Sequence, residues 1–209
     1  MKTLAIIGSG HLGQQIAHYA IADRHYAKVV FFDDVATEKM AAGFEILGNS
    51  DAIETAFRER KFDEILIGIG YKHLKIRAGL FEKLNAKIPF GKIIHSTVWV
   101  DPTAKIHPGC IIYPGCVIDA HSVISENTIL NIGCTIAHDT TIGKHCFLSP
   151  RVAFAGFVKT GEQCIFGINS TIIDNISIAS HIQLGGGSVV IKNIEGQGLY
   201  VGNPTRFIR

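Results

Sequence analysis

Gly8-Ser9-Gly10-His11-Leu12-Gly13 follows an apolar run, and Asp33 and Asp34 close the next one. Glycines at this spacing between a strand and a helix let backbone N–H groups and a helix N-terminus approach a phosphate. An acidic residue at the end of the second strand can then meet a ribose or a base. The residues expected to touch such a ligand are Gly8, Ser9, Gly10, His11 and Asp33. A tight turn that needs glycine on steric grounds alone accounts for the same residues, and His11 either faces a phosphate or caps the helix. Gly68-Ile69-Gly70-Tyr71-Lys72 repeats the arrangement, and Gly70 there leaves room for the same ligand, since open parallel sheets bind at their carboxyl edge. Lys72 faces either a phosphate or solvent.

Other residues able to do chemistry are spaced differently. Cys110, Cys116, Cys134, Cys146 and Cys164 recur at multiples of six with no CxxC pair, a pattern that suits small buried thiols better than metal or redox work. An odd number of cysteines also argues against a disulfide framework. His107, His121, His138, His145 and His181 fall in the segments between apolar residues, and none sits in an HExxH or finger spacing, so no metal is expected.

The elements that must position these groups differ between the two parts of the chain. Lys2–Ile7, Lys28–Phe32 and Glu64–Ile69 read as buried strands. They alternate with helices predicted at Gly10–Ala22, Ser50–Arg60 and Lys72–Asn85, which implies right-handed βαβ units and a parallel sheet. A short strand at Lys92–Ile94 leads out of this part. The expected division is residues 1–95, a Rossmann-like half domain, and residues 96–209. From Ile106 to Val190 an apolar residue returns every sixth position, broken only by Thr160, and a small or β-branched residue stands two places before each. Helices repeat near 3.6 and strands near 2, so this period means short strands of equal length with a corner between each pair, a parallel β-helix with both series pointing inward.

The hexads, the run Leu184-Gly185-Gly186-Gly187-Ser188-Val189-Val190 and the closing Val201-Gly202-Asn203-Pro204-Thr205-Arg206 resemble the hexapeptide-repeat acyltransferases. With the nucleotide-type domain in front, the chain resembles over its whole length the bacterial sugar acyltransferases that include nucleotide-aminosugar N-acetyltransferases, such as the bacillosamine-pathway enzyme, and sialic acid O-acetyltransferases. The resemblance implies a left-handed β-helix, a homotrimer, acetyl-CoA in a groove between neighbouring helices, and a nucleotide-activated amino sugar on the N-terminal domain. It also implies that His138 is the general base, Asp139 its acidic neighbour and Asn131 an active-site amide. By the same resemblance the Gly156 amide meets the thioester carbonyl and the Gly186 amide meets the pantetheine arm. One departure is visible: members often carry a second histidine where this chain has Phe147, with His145 two positions earlier.

That implied chemistry is coherent. An amine must lose its proton to attack a thioester, and imidazole, with an ordinary pKa of about 6.5, accepts one at neutral pH. An amide N–H on the developing oxyanion is worth on the order of 3 kcal/mol, and CoA leaves as a thiol with no covalent enzyme intermediate. Two other activities remain open on the sequence: O-acetylation of a sialic acid or other sugar hydroxyl, and an NAD(P)-dependent oxidoreductase with a β-helical stalk. A half domain suits a mononucleotide better than a dinucleotide. Composition narrows the partners further. A formal net charge of +2 without a Lys/Arg run leaves no footprint for nucleic acid. No stretch approaches the roughly 20 apolar residues of a membrane span, and the expected location is the cytoplasm.

Overall fold

A computed structural model describes residues 2–209. Its contacts divide the chain into two units, one ending at Ile93 and the other spanning Ile94–Arg209.

In the first unit the continuous apolar runs become central strands, as expected where a parallel sheet is covered on both faces. They are β1 (Thr3–Ile7), β2 (Lys28–Phe32) and β5 (Glu64–Ile67), with Leu4, Ala5, Ile6, Phe31, Phe32, Ile65 and Leu66 fully buried. Helix α1 (His11–Ala22) buries Gly13, Ile16, Ala17 and Ala20, one stripe at helical spacing, and ends where Arg24 turns to a φ of 59°. Helices α2 (Ile53–Arg58) and α3 (Leu74–Leu84) are shorter than the sequence pattern predicts, because Ser50–Ala52 and Tyr71–His73 form single 3-10 turns ahead of them. A hairpin of β3 (Met40–Ala41) and β4 (Phe44–Gly48) was not predicted. It extends the sheet to the order β3-β4-β2-β1-β5, in which only β3 runs antiparallel. Thus the unit is one Rossmann-like half, and the turns after β1 and β5 lie side by side because those strands pair from Leu4↔Glu64 to Ile7↔Ile67.

The second unit is a left-handed parallel β-helix whose two-residue strands recur every six residues. Each strand pairs with the one 18 residues on, as in Val117↔Thr135, Thr135↔Ala153 and Ala153↔Thr171, so three hexads close one coil. The first face carries Trp99–Val100 through Val189–Val190, the second Lys105–Ile106 through Ser177–Ile178, and the third Ile111–Ile112 through Ile182–Leu184. Ile112, Ile118, Ile124, Leu130, Ile142 and Leu148 fill the interior without exposure. Such side chains contribute about 1.5–3 kcal/mol each when buried. Thr160, the one polar member of that series, accepts a hydrogen bond from the Gly143 N–H at 2.9 Å.

Two further regularities emerge. Every sixth residue from Gly109 to Gly187 has a positive φ, and most of these residues are Gly, Asn, Asp or His, which tolerate that conformation best. His121, His145 and His181 belong to this series and turn corners of the coil. The small inward residues also do more than fill space. Cys110, Cys116, Ser122, Thr128, Cys134, Thr140, Cys146 and Cys164 each donate to the carbonyl 15 residues later, satisfying corner carbonyls from inside. Burial pushes the Cys146 thiol up, with Cys164 beside it adding to the push.

Candidate active site

His138 stands on the edge between the first and second faces, just after the strand Thr135–Ile136. Asp139, the positive-φ corner residue (φ 56°), turns its carboxylate back so that Oδ2 lies 2.9 Å from His138 Nδ1. The two side chains are 49% and 38% exposed, so a charged imidazole here gains only a modest, solvent-screened attraction. One coil further along the same edge lies Gly156, 18 residues on. A Cβ built there would come 2.8 Å from His138 Cε1 and 2.9 Å from Nε2, so only glycine leaves the ring its seat. Phe157 stands edge-on to the imidazole, with centroids 5.1 Å apart and planes at 87°.

The backbone around the ring is set from the interior. Ser122 Oγ donates to Ala137 O and Thr140 Oγ1 to Ala155 O, both at 2.9 Å. In a trans peptide the carbonyl and the following N–H point opposite ways. Holding Ala155 O inward therefore aims the Gly156 N–H outward, beside the imidazole, where it donates to no group among the described residues. A proton acceptor and an open amide donor stand next to each other on one edge, as acyl transfer requires.

The remaining expected residues are distributed elsewhere. Asn131 lies on the edge between the third and first faces, with the strand Thr135–Ile136 between it and His138, and its Nδ2 donates to Leu148 O at 2.7 Å. Gly186 is three coils along that same edge, against Ile168, with Gly187 N–H bonded to Ile168 O at 2.8 Å. Within one chain Asn131 and Gly186 therefore do not join His138. Phe147 is 8% exposed on the third face, and His145 is 2% exposed with Nδ1 at 3.0 Å from Asn127 Nδ2. The His145 corner is thus the one between the second and third faces, away from the His138 edge.

In the first unit the glycines separate into two kinds. Gly8 has a φ of 95°, a Cβ on Gly13 would fall 1.9 Å from Gly8 O, and one on Gly68 would fall 2.7 Å from Gly13 Cα, so these three are sterically required. A Cβ on Gly10 or Gly70 would meet nothing within 4 Å. Gly10 precedes α1 and Gly70 precedes the 3-10 turn leading to α3, so both open positions front a helix start at the carboxyl edge of adjacent strands. His11 is the exposed first residue of α1.

Asp33, expected to meet a ribose or a base, has partners within the turn itself. Its Oδ2 accepts from Ser9 N–H and Ser9 Oγ, both at 2.7 Å, and Oδ1 accepts from the Val35 and Ala36 N–H groups. Partial burial acts to raise its pKa, but these hydrogen bonds outweigh it and hold the carboxyl below the ordinary range. Asp33 and Ser9 therefore brace the turn, and Asp34 likewise accepts from Ser50 N–H at 2.6 Å. Arg77, a residue the pattern did not single out, is fully buried and donates to Ile67 O at 2.6 Å and Ile69 O at 3.1 Å, fixing the turn after β5. A hollow of about 660 Å³ between Ile21, Val29, Met40 and Phe44 lies toward the start of β2, at the other end of the strand from the glycine turn. Among the described residues no cluster of His, Cys, Asp or Glu is placed to hold a metal, and no helix is long and apolar enough to cross a membrane.

Residues 3–84 match the PglD N-terminal domain family. The chain is similar to the acetyltransferase domain of PglB from Neisseria gonorrhoeae, with 27% identity, all of both chains covered and a TM-score of 0.92. The same domain in complex with acetyl coenzyme A aligns at 26% identity over 99% of each chain, TM-score 0.89. PerB from Caulobacter crescentus, solved with CoA and GDP-perosamine, shares the fold at 24% identity, 100% and 98% coverage and a TM-score of 0.90. Among curated proteins, a probable mitochondrial UDP-3-O-acylglucosamine N-acyltransferase of Arabidopsis thaliana is 34% identical over 83 residues, and the Janthinobacterium enzyme 30% over 83. Those matches span 40% of this chain and only 27% and 24% of the relatives.

Proposed function

We propose that this chain, which belongs to the bacterial sugar acyltransferases built on a hexapeptide-repeat β-helix, is an acetyl-CoA-dependent N-acetyltransferase of a nucleotide-linked 4-amino-deoxy sugar. The observation that carries the reading is the pairing of the His138 imidazole with the open Gly156 N–H. The acceptor amine attacks the thioester carbonyl while His138 Nε2 takes its proton, with Asp139 on Nδ1 holding the ring and its tautomer. The carbonyl oxygen, now an oxyanion, receives the Gly156 N–H. Collapse breaks the C–S bond, and the imidazolium returns its proton to the departing sulfur, giving the amide and free CoA. The named partners of the PglB and PerB structures, acetyl coenzyme A, CoA and GDP-perosamine, support this donor and this class of acceptor.

In this reading the nucleotide phosphates lie at Gly8–His11 and Gly70, whose open positions front the two helix starts. Asp33 supports that turn from behind. The site is completed by a second and third copy of the chain, in a homotrimer. Support comes from the first face, whose outward residues Trp99, Val117, Thr135, Ala153, Thr171 and Val189 carry no charge, while the second face carries Lys105 and Lys159. Both functional edges flank that face, so a neighbour's coil laid on it brings the edge holding Asn131 and Gly186 toward His138. CoA would lie in the groove between. The reaction needs soluble acetyl-CoA and a nucleotide sugar, and this need supports the cytoplasm as its location.

Purified protein with acetyl-CoA and a panel of UDP-, GDP- and dTDP-linked amino sugars should release free CoA thiol with at least one, and His138→Ala should lower that rate by about 10²–10⁴. Thiol release with hydroxyl acceptors and none with amines would turn the assignment to O-acetylation. No release with any acceptor would remove the activity.

A further inference from the structure

Along the coil, the positive-φ corner is filled by glycine or a polar residue at every hexad from Gly109 to Gly187, with one exception. Phe157 (φ 60°) places a bulky apolar ring in the conformation that disfavours it most, and 52% of the residue is exposed. Neither the fold nor burial accounts for phenylalanine there, since Asn175 serves the same corner one coil on and Asn169 the equivalent position on another edge. What the ring does touch is His138, edge to face, in an arrangement aromatic pairs favour.

We infer that Phe157 is a positioning residue for His138. The inference rests on the reading of His138 as the base. The imidazole is limited by three groups: Asp139 on Nδ1, the Gly156 backbone beneath the ring, and Phe157 against its plane. Asp139 alone leaves the ring able to swing about that one contact, because the pair is well exposed to water. The Phe157 ring blocks that swing and keeps Nε2 near the outward Gly156 N–H, where both can meet one tetrahedral centre.

The test is Phe157→Asn, which suits the corner, beside Phe157→Tyr, which keeps the ring. Asparagine should leave the melting temperature unchanged or raised, lower kcat at least tenfold and move the KM for acetyl-CoA less than threefold, while tyrosine should stay within threefold of the parent in kcat. Nitrogen-15 spectra of the His138 ring should show a ring-current shift and a single tautomer in the parent and in Phe157→Tyr, both lost in Phe157→Asn. Parent-like kcat in Phe157→Asn, or a His138 spectrum unmoved by it, would overturn the inference. If His138→Ala kept full turnover, the assignment of the base would fall on its own, and the ring spectra would still decide whether Phe157 orients the imidazole.

Discussion

The Gly156 backbone and the His138 imidazole are in contact across one coil, with room for a hydrogen and none for a methyl: a Cβ would lie 2.8 Å from Cε1 and 2.9 Å from Nε2. Gly156→Ala should therefore tilt the imidazole off its seat without disturbing the interior. Turnover should drop by about 10²-fold or more, an effect of the size expected from misplacing one reacting group by an ångström. The denaturation midpoint should change little. Parallel kinetics and urea unfolding check this, and full activity in the variant would show that the ring has another place to stand.

Thr140 tests the other half of the arrangement. Its hydroxyl donates to Ala155 O at 2.9 Å and accepts from Val158 N–H at 3.2 Å, and so holds the peptide that carries the Gly156 donor. Thr140→Val leaves a buried carbonyl and a buried amide without that partner, at a cost of about 1–3 kcal/mol, and releases the peptide plane. Thr140→Ser keeps the hydroxyl and should recover most of both stability and kcat. Equal loss in the two variants would mean that the methyl, not the hydroxyl, matters.

Asp33 supplies a pH-dependent contribution whose sign follows from its depressed pKa. The native carboxyl ionises below the ordinary value of about 3.9. Its stabilisation is thus fully present above the unfolded pKa and is lost as pH falls through the native one. Asp33→Asn should destabilise the protein by roughly 1–3 kcal/mol at pH 7 and should lose less of its remaining stability than the parent when melting curves are taken from pH 5 down to pH 2.5. It should also raise the KM for the nucleotide sugar more than that for acetyl-CoA, because it braces Ser9 in the turn.

Val117 is 40% exposed on the charge-free first face. Val117→Glu would bury a carboxylate between coils in a trimer, and sedimentation should then report monomers with thiol release lost. An intact trimer with full activity would place the interface on another face.

Most of this molecule could be read from spacing, and what could not depended on contacts between distant residues. The hexads are legible because each buries one large and one small side chain, and adding 18 to 138 lands on 156, so the His138–Gly156 seat follows from the period once coils are known to stack in register. The same arithmetic separates Asn131, one face away. The positive-φ series was also open to reading, since Gly, Asn, Asp and His recur there, but its dilution by Arg151, Phe157 and Gln163 conceals it. The hairpin Met40–Gly48 is not legible because β3, at two residues, has no period to detect and β4, Phe44–Gly48, buries none of its residues fully. That Asp33 also braces the glycine turn is not legible, because nothing local reveals that Ser9, 24 residues earlier, folds onto it. Arg77 gave no signal either, as one arginine on an ordinary helix stripe.

A coil that closes only after three hexads also limits how such a gene can change length. Loss or gain of six codons within the β-helix ahead of His138 would rotate everything after it by a third of a circle relative to the coils before it, carrying His138 to a different side of the prism. Only blocks of eighteen codons preserve the facing. Relatives with taller or shorter prisms should therefore differ by whole coils, with any other insertion displaced to a corner as a loop.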